Sequence, residues 1–449
     1  MGIISRNSRE SIDRSFARLP GIDPACFGVI VTRDLPLSPK PLPDGVLYAA
    51  ETFGVDVSEL LVVGDYAYDI QAGKRAGAPT MYLYNDSSEP FHGEDADFVV
   101  HSLEEALTLI RRSLPLPAGK LPADLLGEAL RALAPADPSV LVGAAIGEDA
   151  AVLDIAPDEI LVLASDPVTL AAETLSRYVV LVNANDVATS GATPRWFIAT
   201  LLFPPGSTGS EMIALIVEIR SVCAQNGIAL CGGHTEITDA VTRPLISGTM
   251  AGTARRDELI DKRAMRQGDR ILLTKAVAVE GTGLIAREFA GLLLEAGMTP
   301  AEVARSAALL DRIGILEEAR IARSFAGVSA MHDVTEGGLA TAVRELGAAG
   351  GRRLRLHLDR VPIYPETRRL CALLAIDPLG LIGSGSLLIS VAPGEARALS
   401  EAIAAAGIEV ADIGEVLDER QGVETLRDGI AAALPWFERD ELSRLGLGA

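Results

Sequence analysis

Short apolar runs alternate with helix-period stretches from the start of the chain. Residues 29–31, 60–63, 80–83 and 98–100 each read as a buried strand. Between them, at 43–54, 69–77 and 102–112, the spacing puts apolar side chains on one helical face. Strand–helix alternation of this kind predicts a parallel α/β sheet. The pattern breaks at residues 113–123, SLPLPAGKLPA, where three prolines and a glycine read as a linker. Beyond it the strands lengthen, at 159–164, 195–202, 229–232 and 245–254, and long helices fall near 174–190 and 209–226. A further α/β unit opens at GDRILLTK (268–275) and runs through GSLLISVAP to IEVADIGEV. From about residue 420 the pattern predicts a short helical tail. The expected organisation is therefore 1–115, 120–258, 262–420 and a tail, 421–449.

Composition narrows the function classes. A formal net charge of −21 opposes a nucleic-acid partner, which needs a basic surface to meet phosphates. Aromatics are only 4%, so stacking platforms for bases are not expected. The four cysteines, Cys26, Cys223, Cys231 and Cys371, form no CxxC pair, which argues for reduced thiols over a zinc site or a disulfide framework. No apolar run approaches the ~18–20 residues that span a bilayer. The opening MGIISRNSRE lacks the apolar centre of a signal peptide, and Arg6 stands where a myristoylation motif wants Ser or Thr. A cytoplasmic protein without a membrane partner is expected.

Candidate chemistry falls at the ends of predicted strands. In the first unit, GIISRNS offers Ser5 and Asn7, SPKPLPDG offers Lys40, and VGDYAYDIQAG offers Asp65 and Asp69. A hydroxyl and an ammonium can hold phosphoryl oxygens, while paired carboxylates hold Mg²⁺. In the second, IGEDAAVLDI sets Glu148 and Asp149 on a glycine turn, and LVLASDPVT delivers Ser165 and Asp166 as a strand ends. VNANDVATSGATP puts Asn183, Asn185 and Asp186 on an otherwise apolar helix, with Asn183 and Asp186 on one face. LCGGHTEIT brings Gly232 and Gly233, whose bare backbone admits a ligand, then His234, Thr235 and Glu236. MHDVTEGGL places His332, Asp333, Thr335 and Glu336 at a strand-to-helix junction, whose free N–H groups suit an anion. Singly, each has a plain structural reading: Asp149 a turn residue, Asp166 a cap before Pro167, His234 a core histidine. Their order is harder to explain that way. No GxxxxGK[ST] is present, and GTGLIA (281–286) lacks a third glycine.

The motifs of residues 2–110 resemble the second, third and fourth motifs of the haloacid dehalogenase phosphatase superfamily. Its first motif, DxDxT, supplies the nucleophilic aspartate, and Asp13, Asp23 and Asp34 do not follow a buried strand in that pattern. The expectation is a partial domain with Asp65 and Asp69 as metal ligands and no aspartyl-phosphate chemistry, either vestigial or beginning upstream.

Residues 121–420, through GEDAAV, SDPVT, VNANDVATSGATPRW, GGHTE and HDVTEGGL, resemble the AIR synthase (PurM-like) superfamily, and most of all its HypE-related members. The resemblance implies two α/β domains and a homodimer whose amino-terminal sheets meet. It also implies an ATP cleft with acids carrying Mg²⁺. Asp149, Asp166, Asp186 and Glu236 would be metal ligands, and Glu148, Asp149, Asn183, Asp186, Gly232, Gly233, Thr235 and Lys275 would hold the nucleotide. Asp166, Asp333 and His234 would be catalytic. HypE acts on a cysteine at its own carboxyl terminus, whereas this sequence ends ELSRLGLGA, so that reaction is not expected in cis. The implied chemistry is attack on the γ-phosphoryl of ATP by an oxygen of an unidentified small-molecule or protein acceptor. The alternatives are a nucleotide-binding maturation factor without turnover and, opposed by the missing aspartate, a phosphatase.

Overall fold

The computed structural model describes residues 1–84, 91, 93, 95–130, 137–145, 150–168, 175–420 and 422–445. They fall into two compact units, Met1–Leu114 and Pro115–Ala449.

The first unit holds β1 (Gly2–Ile4), α1 (Arg9–Arg18), β2 (Val29–Val31), α2 (Asp44–Phe53), β3 (Val62–Gly64), α3 (Ala67–Ala76), β4 (Thr80–Leu83), β5 (Phe98–Val100) and α4 (Leu103–Ser113). Among its described residues all strand pairings are parallel, as the alternation predicts. They form two ribbons, β1–β2 and β3–β4–β5. Gly64 lets α3 fold back over the end of β3, because a Cβ there would sit 2.2 Å from the Asp69 Cβ.

The second unit begins with β6 (Gly119–Lys120), α5 (Ala123–Leu130), β7 (Val140–Val142), β8 (Val152–Leu153), β9 (Glu159–Ala164) and β10 (Pro167–Val168). It continues with α6 (Leu175–Thr189), β11 (Thr193–Phe203), α7 (Gly209–Gln225), β12 (Ala229–Ile237) and β13 (Leu245–Arg255). The six-stranded sheet runs β10–β13–β11–β12–β6, with β9 also on β13. The expected linker is partly sheet: β6 pairs with β12 through Lys120 and Glu236. Proline stiffening and edge pairing are compatible, because only two of its residues enter the ladder.

The remainder comprises β14 (Arg270–Thr274), α8 (Val279–Glu288), α9 (Ala290–Glu295), α10 (Pro300–Ala307), α11 (Leu316–Ala322), β15 (Val328–Asp333), α12 (Gly338–Gly350), β16 (Arg353–His357), α13 (Pro365–Leu374), β17 (Leu387–Val391), α14 (Ala396–Ala405), β18 (Val410–Val416), β19 (Gly422–Arg427) and β20 (Ile430–Ala432). Its seven-stranded sheet is ordered β15–β17–β14–β18–β16–β19–β20. The expected helical tail is thus corrected: β19 and β20 extend this sheet, and among the described residues of the tail only a short turn at Glu441–Leu445 is helical. β19 earns its place by parallel pairing with β16, a contact that local periodicity cannot reveal.

α6 joins the two halves. It packs on β13, β11 and α7 on one side and on β15 and α11 on the other, which is why it is apolar around most of its circumference. Val179, Leu181, Phe197 and Met250 share a single core with Leu284, Ile285 and Leu310 of the carboxyl-terminal half.

Candidate active site

Asp166 leaves the end of β9 with its backbone held from several directions. Its N–H donates to Asn183 Oδ1 at 2.8 Å, and Asn183 Nδ2 donates to the Asp166 carbonyl at 3.2 Å and to Val179 O at 2.8 Å. The Gly248 N–H donates to the same Asp166 carbonyl at 3.0 Å. Ser165 Oγ donates to Gly248 O at 2.8 Å. Only glycine fits at 248, since a Cβ would lie 2.7 Å from Asn183 Nδ2 and from the Phe197 ring. Asn183 is fully buried. Its expected nucleotide contact is therefore replaced by a positioning role, because its amide is occupied by backbone. Asn185, also fully buried, acts likewise at a distance: Nδ2 donates to Ile313 O at 2.9 Å, and the Ile315 N–H donates to Oδ1 at 3.0 Å.

Asp186 lies one turn beyond Asn183 and hydrogen-bonds the Asp166 carboxyl. Burial first, then that bond, then the charges of Asp333 and Asp166 push its carboxyl up to about 9. Asp333, at the end of β15, is buried, and its Oδ2 finds no partner among the described residues. Burial raises its carboxyl too, against the opposing charge of His332. His332 Nε2 lies 3.2 Å from Glu345 Oε2. Three acids from β9's end, α6 and β15 thus meet where the two halves join.

A cation beside them is Lys262, on the connector between the sheets, whose charge acts on Asp186, Asp333 and Glu345. Sequence reasoning missed it, because a lysine in DKRAMRQGD carries no motif and only the chain's path brings it here. Behind Asp333, fully buried Glu280 is pushed up to about 7, mainly by burial, and accepts from the Ser384 N–H at 3.3 Å.

Other predicted residues lie elsewhere. Lys275 is buried, and its ammonium donates to Gly314 O at 2.7 Å, Glu318 Oε1 at 2.6 Å and Gly385 O at 2.8 Å. All three N–H bonds are occupied, so the expected phosphate contact gives way to a buried clamp. The junction after Asp333 is also filled from within. The Gly337 N–H donates to Asp440 Oδ2 at 2.7 Å, and the Leu442 N–H donates to Asp440 Oδ1 at 2.8 Å. That carboxylate takes the place expected for an anion at the start of α12.

His234 is not in the acid cluster. Pro167, Ser247, Thr200 and His234 occupy one row across β10, β13, β11 and β12. Three strand spacings put His234 about 14 Å from Pro167. His234 is exposed, with Nε2 3.3 Å from Glu236 Oε2. His234 lines, together with Gly232, Gly233 and Thr235, a cavity of about 490 Å³ that Ile198, Ala145 and Ala150 also border. Gly233 is required there, since a Cβ would lie 2.2 Å from the Ala199 carbonyl oxygen. Glu148 and Asp149 lie outside the described residues.

In the first unit, Lys40 Nζ donates to Ile4 O at 2.9 Å and to Asp69 Oδ1. Asp65 is exposed. Among the described residues of either unit, no group of three His, Cys, Asp or Glu side chains is placed to hold a metal ion by itself.

Residues 147–254 match the sequence family described as AIR synthase related protein, N-terminal domain, and residues 266–427 match its C-terminal domain. The body belongs to the AIR synthase-related family. Residues 1–83 match the haloacid dehalogenase-like hydrolase family, so this AIR synthase-related body is fused to a partial haloacid dehalogenase-like unit. Carbamoyl dehydratase HypE of Escherichia coli is 28% identical over 265 residues, covering 58% of this chain and 74% of that protein. Thiamine-monophosphate kinase of Caulobacter vibrioides is 29% identical over 362 residues, covering 76% and 97%. Selenide, water dikinase of Photorhabdus laumondii is 29% identical over 321 residues, covering 64% and 87%. The crystal structure of E. coli HypE shares the fold with a TM-score of 0.59 at 24% identity, covering 70% of this chain and 97% of that one.

Proposed function

We propose that the AIR synthase-related body is an ATP- and Mg²⁺-dependent enzyme that passes the γ-phosphoryl group of ATP to an oxygen of an acceptor. What carries this reading is the meeting of Asp166, Asp186 and Asp333, with two carboxyls raised by burial and one buried oxygen without a partner. Hard oxygen donors suit Mg²⁺, which is held through one or two carboxylates together with substrate phosphates. A site lacking a full protein cage fits that habit. Two relatives are kinases by name, which supports phosphoryl transfer, and HypE has been crystallised with ATP in this fold.

Asp166 and Asp186 would hold the ion, with Asp149 joining them by motif. When bound, the ion would neutralise charge on the transferring group. Lys262 would face the remaining phosphate charge. Asp333 would take the acceptor's proton as the acceptor oxygen bonds to the γ-phosphorus and the bond to the ADP oxygen breaks. The cavity bordered by Gly232 and Gly233 would receive the nucleotide's apolar portion.

The reading includes a symmetric homodimer. Leu161, Leu163 and Ile198 are exposed on one face of the six-stranded sheet, an apolar surface that a second copy would cover. Light scattering should return a dimer mass, and Leu163→Arg should return a monomer. In the first unit we propose no phosphatase turnover, because Asp69 is engaged by Lys40. Aryl phosphate hydrolysis abolished by Asp65→Asn would overturn that.

The deciding experiment is ADP release across an acceptor panel with Mg²⁺–ATP. Acceptor-dependent release that Asp333→Asn abolishes supports the enzyme. Saturable ATP binding with no release from any acceptor would favour the nucleotide-binding maturation factor instead.

A further inference from the structure

On the other side of α6 from the acids lies a cleft of about 790 Å³, bounded by both halves of the body. Arg177, Leu181 and Ala188 of α6 line it. At about 100° per residue, Arg177 and Asp186 stand on opposite faces of that helix. A ligand in the cleft is therefore separated from the acid cluster by the helix itself.

The lining chemistry is unusual for a chain of net charge −21. Arg177, Arg312, Arg320 and Arg323 all border the cleft with Lys275, and outnumber its acids, Asp311, Glu317 and Glu318. The present partners of Arg177, Arg320 and Arg323 are weak or replaceable. Arg323 donates to Thr193 Oγ1 at 2.6 Å and to Gly191 O at 3.3 Å, both neutral oxygens. Arg320 pairs with Glu317 on its own helix, and both side chains are more than half exposed, an arrangement that stabilises little. Arg177 reaches Asp311, which is itself mostly exposed, and its Nε is buried without a hydrogen-bond partner. Arg312 is fixed by Glu409 and lies over the Tyr364 ring. Guanidinium forks match the paired oxygens of a phosphoryl group, and several forks from separate elements suit a group with more than two such oxygens.

We propose that this cleft is a second ligand site, for a small phosphorylated anion bound without metal by Arg177, Arg320 and Arg323. Because α6 stands between it and the acids, its ligand does not react there. It bridges α6, α11 and the 191–193 turn, and so holds the two halves of the body together. The proposal does not depend on the ATP reading.

The test uses the full chain with inorganic pyrophosphate in EDTA, where the acid cluster repels the probe instead of binding it. Calorimetry should show saturable binding at one site per chain, weakening as salt rises. Arg323→Glu should weaken it at least tenfold, and Arg177→Gln severalfold, with both variants melting near the wild-type temperature. Should Arg177→Gln fail to fold, Arg320→Ala, at an exposed position, serves in its place. Asp166→Asn should leave pyrophosphate affinity unchanged. No binding in EDTA, binding that survives Arg323→Glu, or tighter binding of citrate than of pyrophosphate would each overturn the proposal.

Discussion

The two units each place carboxylates at the ends of strands, and they treat them in opposite ways. In the first, Asp69 is buried against the Lys40 ammonium, which also donates to a backbone carbonyl. The corner is electrically closed. In the body, Asp166, Asp186 and Asp333 crowd together, with the charges of Lys262 and His332 offsetting them in part, and two of their carboxyls are driven upward. That site is short of positive charge. Sequence motifs alone make the two corners look alike, as acids poised for a cation. The difference shows that the state of a carboxylate is decided by what the fold places against it.

The sharpest way to break this comparison is to open the closed corner. Lys40→Met should leave Asp69 buried without its cation and destabilise the first unit by about 3 kcal/mol. Denaturant unfolding of the full chain should show an earlier transition, which Asp69→Asn partly restores in the double variant. A midpoint unchanged by Lys40→Met would mean the pair is not what closes the corner.

Next is the open site. Asp166→Asn should lower acceptor-dependent ADP release by roughly 10²-fold, the scale for losing one positioned electrostatic partner. It should also remove most of the thermal shift that Mg²⁺–ATP produces. A variant that responds to Mg²⁺–ATP as the parent does would show that the cation site lies elsewhere.

A smaller effect separates the acids from their support. Asn183→Ala removes the amide that holds the Asp166 backbone and should cost about 2 kcal/mol. Its turnover should fall without any change in the pH profile, since Asn183 carries no charge. An altered profile would make it a direct participant.

The smallest effect tests the charge deficit directly. The folded carboxyl of Asp186, raised to about 9 from 3.8, favours the folded state fully below the unfolded value. That contribution is lost as pH rises through the folded value. In EDTA, Asp186→Asn should therefore melt at least about 2 °C above wild type at pH 8, with no advantage at pH 4. Mg²⁺ should narrow the gap by stabilising only the wild type. A variant less stable than wild type at pH 8 in EDTA would contradict the deficit.

Much of the fold is legible in the residues themselves. The alternation at 29–31, 80–83 and 98–100 and the long strands around 195–202 and 245–254 name their elements, because side-chain periodicity is a local property. Asp166, Asp186 and Asp333 stand out in the sequence too, through motifs whose order resembles a known one. Tertiary structure alone decided the rest. It closed Asp69 with a lysine 29 positions away and gave Lys275 to Glu318 across 43 positions. It filled the start of α12 with Asp440 from 103 positions beyond, turned the tail into β19 and β20, and carried Lys262 to the acids. In each case a donor, acceptor or strand edge had to be satisfied by whichever group the folded chain brought within reach. That choice depends on long-range packing, and no local pattern encodes it.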